Sequence, residues 1–206
     1  METTLEARWF GPGRPPDALT RRFDVLGVPG PQTRTDTYLF LAGTHDLGVK
    51  LREGGKAFEL KLRQHDFGEA KLAGDVTGTL ERWQKWSFPV TDGSCQASGL
   101  GLPGASLIEV EKNRRLATYR LAPAGTVSLV EERQGDGCSV EITSLETHGS
   151  QWWSLGFEAF GSQDRLADAL MATAETFFAG ADLASVLATV PACAYPAWLH
   201  TLDSDL

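Results

Sequence analysis

The chain consists largely of short segments in which apolar and polar residues alternate, which is the pattern of half-buried β-strands. The clearest example is residues 47 to 64, where a face of leucine, valine and phenylalanine opposes a charged face. The glycines of "EGGK", in the middle of this segment, suit a hairpin turn. We therefore predict two antiparallel strands here. Their charged faces carry Lys50, Arg52, Glu59, Lys61 and Arg63.

Further strands are predicted wherever the same alternation, or a continuous apolar run, is bounded by turn residues. They cover about residues 3–10, 36–43, 106–121, 126–133, 138–147 and 151–160. The turns "PAG", "GDG" and "HGSQ" separate the last four strands. Just before the last four strands, a segment rich in glycine and serine at residues 93–104 is predicted to be a loop.

Helices are predicted at the start, the middle and the end of the chain. A short helix runs from Asp17 to about Leu26, and "GTLERWQKWSF" places its apolar residues at helical spacing. The C-terminal helices cover about residues 163–190. Many antiparallel strands with a few helices predict an α+β fold built around a large sheet or a closed barrel. At 206 residues the whole chain, 1–206, is predicted to form one domain.

The charge and composition narrow the classes of partner. A formal net charge of -8 argues against non-specific binding to nucleic acid or to an anionic membrane, since both need a broad basic surface. The sequence has no run of about 18 apolar residues and no N-terminal signal pattern, so no membrane span is predicted. Its three cysteines are an odd number without metal-ligand spacing, which argues against a disulfide framework and a zinc site and fits a reducing compartment. We therefore expect a soluble cytoplasmic protein.

The charged strand faces allow two interpretations. In the first, these faces meet water and the apolar faces form the core, as in most half-buried antiparallel sheets. In the second, the strands close into a barrel of about eight strands, whose interior is wide enough for one small ligand. An interior with both signs of charge could then bind a polyanion through lysine and arginine, with carboxylates holding Mg²⁺ or Mn²⁺.

One long segment favours the second interpretation. The run "TDTYLFLAGTHDLGVKLREGGKAFELKLR" resembles the corresponding run of CYTH domains, the triphosphate tunnel metalloenzymes. The family begins with two glutamates and a lysine on its first strand, where this chain has Thr4, Glu6 and Arg8. The resemblance implies an antiparallel eight-stranded β-barrel, or tunnel, with peripheral helices. It also implies binding of a triphosphate or polyphosphate compound, which many members hydrolyse with a divalent metal.

Carried over residue by residue, the resemblance implies the following roles. The phosphate-binding side chains would be Arg8, Lys50, Arg52, Lys61, Arg63, Lys112 and Arg114. The catalytic carboxylates would be Glu6 and Glu158, and the ligands of Mg²⁺ or Mn²⁺ would be Glu6, Glu141 and Glu158. Glu59 would orient its basic neighbours. Because Thr4 replaces one carboxylate of the opening motif, catalysis is less well supported than binding.

Two alternatives to a metal-dependent triphosphatase stay open at this point. One is a non-catalytic CYTH-like barrel that binds an anionic ligand or a protein. The other is an unrelated β-rich domain whose charged faces meet water. The glycine-rich "GLGLPG" at residues 99–104 lacks the lysine of a phosphate-binding loop and does not favour a nucleotide site. The oligomeric state is not predicted.

Overall fold

Eight antiparallel strands close into a barrel in this computed structural model, which describes residues 1–90 and 105–203. The described residues form nine strands, of which all but β7 belong to the barrel: β1 (Glu2–Pro12), β2 (Gln32–Leu41), β3 (Leu47–Arg52), β4 (Ala57–Ala73), β5 (Val76–Pro89), β6 (Ala105–Leu121), β7 (Val127–Val130), β8 (Gly137–Thr147) and β9 (Ser150–Phe160). They pair in the order β2-β3-β4-β5-β1-β9-β8-β6, and β6 pairs back with β2. The short β7 lies outside this ring and pairs with the end of β6. The predicted eight-stranded α+β barrel is confirmed.

Tight turns fix the register of the hairpins. Between β3 and β4, Glu53 and Gly54 have φ angles of 50° and 67°. Between β8 and β9, His148 and Gly149 have φ angles of 49° and 73°, as a two-residue turn with two left-handed residues requires. A one-residue shift in either hairpin would exchange the two faces of a strand, so these turns decide which side chains point into the barrel.

The apolar strand faces of the main core point outward and are covered by helices. The helical segments are α1 (Asp17–Val25), a 3₁₀ turn (Gln163–Arg165), α2 (Leu166–Phe178), α3 (Ala184–Leu187) and α4 (Tyr195–Asp203). Leu5, Val140 and Phe157 of the strands pack with Phe23 of α1 and Phe177 of α2 in the main hydrophobic core. Burying each of these large side chains contributes about 1.5–3 kcal/mol, so this outer core is the principal source of stability.

The fourth helix has a different place, since α4 fills one end of the barrel. Trp198 and Leu199 pack with Phe10, Tyr38 and Val110, side chains whose positions in their strands point them inward. The rings of Trp198 and Phe10 are stacked, 4.8 Å apart and 4° from parallel. The barrel interior is thus apolar at this end and polar beyond it.

Two sequence predictions need correction. Residues 76–89 form strand β5 and not a helix, although Leu80, Trp83 and Trp86 stand at helical spacing. In the strand, Trp83 points inward beside Glu81. The main chain of β5 pairs with both β1 and β4. The C-terminal helical region also extends beyond residue 190, because α4 follows. The loop predicted at 93–104, with Cys95, lies outside the described residues.

Within the described part of the chain, none of the helices combines the length and the apolar character needed to cross a membrane.

Candidate functional site

The barrel encloses a cavity of about 270 Å³ whose wall is built from inward-pointing strand residues and the start of α4. Among the described residues, nine cationic side chains and five glutamates line it. The cations are Arg8, Arg34, Lys50, Arg52, Lys61, Lys85, Lys112, Arg114 and Arg133. The glutamates are Glu6, Glu59, Glu81, Glu141 and Glu158. The cavity therefore has an excess of four positive charges in a chain whose formal net charge is -8.

The structure brings nearly all of the sequence-predicted site residues together in this cavity. Arg8, Lys50, Arg52, Lys61, Lys112, Arg114, Glu6, Glu59, Glu141 and Glu158 all line it. Arg63 does not line the cavity wall, but its guanidinium donates a 2.6 Å hydrogen bond to Glu81, which does. Of the two interpretations of the charged strand faces, their placement supports the second, in which these faces point into the barrel. Their binding and catalytic roles stay predictions.

Three glutamates form a row across the inward face of the neighbouring strands β9, β1 and β5. Glu6 lies directly opposite Glu158 on one side and Glu81 on the other. Adjacent like charges in a sheet repel each other. Here each carboxylate has its own cation: Lys61 contacts Glu6 at 2.5 Å, Arg133 contacts Glu158 at 2.7 Å, and Arg63 contacts Glu81. Lys85 also lies 3.5 Å from Glu158.

Arg8 reaches across a neighbouring strand to its partner. Gly156 lies opposite Arg8 on β9, and Glu141 lies opposite Gly156 on β8. The guanidinium passes over Gly156 and donates hydrogen bonds to Glu141 at 3.0 Å and to Ser154 at 3.1 Å. A Cβ at position 156 would stand 2.4 Å from this guanidinium. The absence of a side chain at residue 156 is what permits this contact.

Asp36 organises a second group of cations. Its carboxylate is fully buried and lies 3.1 Å from Lys112, 3.7 Å from Lys50 and 3.5 Å from Arg34. Lys112 is also almost fully buried, and its ammonium donates a 2.5 Å hydrogen bond to the Tyr38 hydroxyl. Glu59 forms an ion pair with Lys50 at 3.0 Å and accepts a hydrogen bond from Arg52 at 2.8 Å; its orienting role stays a prediction.

These surroundings change the acidities of the buried groups. Burial, reinforced by the charge of Lys112, lowers the pKa of Lys50 to about 8. Burial likewise lowers the pKa of Lys112 to about 8, with Arg34 acting in the same direction. Burial alone would raise the pKa of Asp36, but the charges of Lys112, Lys50 and Arg34 outweigh it and lower this pKa to about 2. Two lysines of the cavity are therefore half-charged near pH 8.

Three aromatic rings in the wall are covered by cations. Lys112 lies 4.0 Å above the ring of Tyr195, and the Arg8 guanidinium lies 5.0 Å from its centre. Tyr38 stacks on Tyr195 at 5.4 Å, and Lys61 lies 5.5 Å above Trp83. Such cation–π contacts hold these ammonium and guanidinium groups in addition to their carboxylate partners. Tyr195, at the start of α4, thereby links the apolar end of the barrel to the charged cavity.

The carboxylates do not fit a resident divalent metal ion as they are arranged. Among residues 1–90 and 105–203, no three His, Cys, Asp or Glu side chains group closely enough to hold one. The three predicted ligands each contact cations instead: Glu6 contacts Lys61, Glu158 contacts Arg133 and Lys85, and Glu141 contacts Arg8 and Arg114. The Thr4 hydroxyl donates a hydrogen bond to Glu6, and Thr4 supplies no carboxylate. These contacts give no support to the metal ligation that the resemblance implies.

Several lining residues were missed by the sequence predictions. Arg34 shares an inward face with Asp36 and Tyr38, so beginning the second strand two residues earlier would have included it. Glu81 and Lys85 were missed because β5 was predicted as a helix. Arg133 and Tyr195 had no local signal. The first follows the short strand β7 and the second opens α4, so only the closed fold brings them to the cavity.

Comparison with known proteins gives distant structural likenesses only. No protein-family model matches the sequence, and no curated protein is a significant match. A conserved hypothetical protein from Pyrococcus furiosus is 11% identical with a TM-score of 0.47, covering 85% of this chain and 90% of that protein. HpAC1 from Hippeastrum, described as having a dominant triphosphatase activity, is 11% identical with a TM-score of 0.41, covering 92% and 96%.

A chain from the Schizosaccharomyces pombe Mediator head module is also similar, at 12% identity and a TM-score of 0.45, covering 93% of this chain and 98% of that one. At these identities and TM-scores the likenesses assign neither a family nor an activity to this chain.

Proposed function

We propose that this chain binds a triphosphate or polyphosphate compound inside the barrel, as the resemblance to CYTH domains implies. The observation that carries the proposal is the excess of four positive charges around an enclosed cavity in an acidic chain. Because the surrounding protein is acidic, this local excess is a feature of the cavity and not of the overall composition. Partial enclosure raises the strength of each charge interaction, since protein replaces part of the surrounding water.

The chemistry of the wall suits phosphate oxygens. Arginine presents several donors in a planar fork, and lysine presents a compact charge that can turn toward different oxygens. Arg8, Lys61 and Arg114 are each partly exposed to the cavity and already oriented by a carboxylate. In the absence of a ligand these internal ion pairs keep the buried cations satisfied, which avoids the cost of unpaired buried charge. A bound polyanion would share or replace them.

Hydrolysis of the bound compound with Mg²⁺ or Mn²⁺ stays a prediction from the resemblance. The tunnel carboxylates contact lysines and arginines, so the contacts favour binding over metal-dependent turnover. The proposal is therefore a CYTH-like barrel that binds a polyphosphate anion, with inorganic tripolyphosphate as its simplest test ligand.

The proposal is tested by calorimetric titration of tripolyphosphate into wild type, Lys61→Ala and Lys71→Ala. Lys61 lines the cavity, whereas Lys71 is exposed on the same strand and serves as the matched control. We expect Lys61→Ala to weaken binding by roughly tenfold or more, equivalent to about 1.4 kcal/mol, and Lys71→Ala to leave it unchanged. Equal affinities in all three proteins, or no binding by wild type, would contradict the proposal.

A further inference from the structure

We propose that this tunnel takes its phosphate ligand without a divalent metal ion, and that its glutamates serve as counter-ions that position the lysines and arginines. The inference rests on the proposed function, since it concerns the same cavity. It departs from what the resemblance implies for Glu6, Glu141 and Glu158, the predicted metal ligands.

The first support is that every glutamate of the described cavity wall has a cationic partner. Glu59 contacts Lys50 and Arg52, and Glu141 contacts Arg8 and Arg114. The other three were described above: Lys61 contacts Glu6, Arg63 contacts Glu81, and both Arg133 and Lys85 contact Glu158. A metal ion would have to displace one of these cations before it could bind a carboxylate oxygen.

The second support is the register of the glutamate row. Glu158, Glu6 and Glu81 lie side by side on neighbouring strands, and a divalent ion bridging two of them would be the usual way to relieve their repulsion. Glu6 is the middle glutamate of the row. The Lys61 ammonium lies 2.5 and 2.6 Å from its two carboxylate oxygens. The Thr4 hydroxyl donates to one of those oxygens as well. Both Glu6 oxygens, which a metal bridging this row through Glu6 would have to use, are thus already contacted by an ammonium group.

The third support is the balance of charge. Nine cations line the wall against five glutamates, and the buried Asp36 adds one carboxylate beside them, so the site can still neutralise several charges of a polyphosphate chain. A resident divalent ion is therefore not required to compensate the ligand, and it would add to a positive excess that already exists. Unligated, each cation is held in position by a carboxylate, which lowers the entropy that must be lost when the ligand binds.

The first experiment tests metal binding without any phosphate compound. Mn²⁺ is titrated into wild type, Glu6→Gln and Glu175→Gln, and free Mn²⁺ is followed by electron paramagnetic resonance. Glu175 is exposed on α2 and is the matched control. We expect the three proteins to give the same curve, with no site that depends on Glu6. A stoichiometric Mn²⁺ site that Glu6→Gln removes and Glu175→Gln preserves would overturn the inference.

The second experiment measures tripolyphosphate affinity by calorimetry in EDTA and in Mg²⁺. Wild type is expected to bind in EDTA, and Glu6→Gln to bind more tightly by roughly 3- to 10-fold, because a negative charge beside Lys61 is removed. The amide is nearly the same size as the carboxylate, so the variant should fold, and thermal unfolding serves as the check. Glu175→Gln should match wild type.

The two proposals fail in different ways. Binding that requires Mg²⁺, and that Glu6→Gln weakens, would overturn the metal-free inference while leaving the proposed function intact. Absence of binding both in EDTA and in Mg²⁺ would overturn the proposed function and this inference with it. Binding in EDTA that is strengthened in Glu6→Gln supports both.

Discussion

Arg8 reaches Glu141 across a whole strand because residue 156, between them, has no side chain. The contact joins three strands, β1, β9 and β8, and it fixes a guanidinium over the ring of Tyr195 as well. A single glycine thus decides the position of one of the most buried cations in the cavity. Its contribution is steric, since its backbone has no left-handed φ angle.

Replacing this glycine should disturb Arg8 and the ligand together. We expect Gly156→Ala to cost about 1–3 kcal/mol of unfolding free energy, because the new Cβ overlaps a guanidinium that is held on several sides. Tripolyphosphate affinity should fall in the same variant. Gly30→Ala is the control, since a Cβ there has nothing within 4 Å. Wild-type stability and affinity in Gly156→Ala, measured by denaturant unfolding and calorimetry, would show that Arg8 does not occupy this path.

The two buried lysines predict a dependence on pH. Lys50 and Lys112 have pKa values of about 8, so both are charged below that pH and attract an anion. Above it they lose their protons, and the attraction is lost with them. A bound phosphate chain favours the charged form, which raises their pKa values, so binding near pH 8 should be accompanied by proton uptake.

Calorimetry in buffers of different ionisation enthalpy measures that uptake. Lys50→Arg keeps its charge throughout this range, so it should take up fewer protons than wild type at pH 8. Protonation of tripolyphosphate itself is common to both proteins and cancels in the comparison. Equal proton uptake by the two proteins would contradict a role for Lys50 in contacting the anion.

At the level of single residues, alternation showed which side chains share a strand face, and the resemblance indicated which face points inward. Lys50, Lys61 and Glu158 point inward, as the resemblance implied, because neighbouring side chains of a strand point to opposite faces. Alternation could not reveal Arg133 or Tyr195, which reach the cavity only through tertiary packing. Nor could it reveal that the carboxylates contact cations. That result depends on which strands are neighbours.

Among the secondary-structure elements, β5 shows where local pattern fails. Leu80, Trp83 and Trp86 recur every three residues and favour a helix, but the segment has two long antiparallel neighbours, β1 and β4. Hydrogen bonds to both, and burial of Trp83 inside the barrel, outweigh the local preference. The strands of the hairpin at residues 47–64 were predicted correctly because their alternation is regular and their turn is marked by glycines.

The helix α4 was missed because it is short and follows Pro191, at which the predicted C-terminal helices end, yet it closes one end of the barrel. Trp198 is 1% exposed and stacks on Phe10. We expect Trp198→Ala to cost about 3–5 kcal/mol of unfolding free energy, from lost burial and the cavity left behind. Tripolyphosphate affinity should fall too, because Tyr195 lies on the same helix.

Leu129→Ala serves as the control for this variant in guanidinium unfolding. Leu129 lies on β7 and is 42% exposed, so its truncation should change stability by less than about 0.5 kcal/mol. Similar small effects in both variants would mean that α4 does not depend on the packing described here.

For the whole molecule, the notable feature is a separation of charge between inside and outside. The cavity has four excess positive charges and the chain has a formal net charge of -8, which leaves -12 for the rest of the protein. The barrel also has its apolar strand faces outside, beneath α1 and α2, and its charged faces inside. This inversion is costly unless the interior charges are paired or bound to a ligand, and in the structure they are paired.

The closure of the barrel was predicted, but closure alone does not distinguish a binding cavity from a polar core that only stabilises the fold. In a structural core, the ion pairs would be the final arrangement. In a binding cavity, they are exchanged for contacts with the ligand. The difference lies in what the cations do when a polyphosphate is present.

A crystal structure determined in the presence of tripolyphosphate measures this directly. We predict the anion inside the barrel, with its oxygens in hydrogen-bond contact with Arg8, Lys61 and Lys112, and with the pairs between these cations and their carboxylates lengthened or shared. An interior that keeps its ion pairs unchanged at saturating tripolyphosphate, with the anion absent or bound only on the outer surface, would contradict the account.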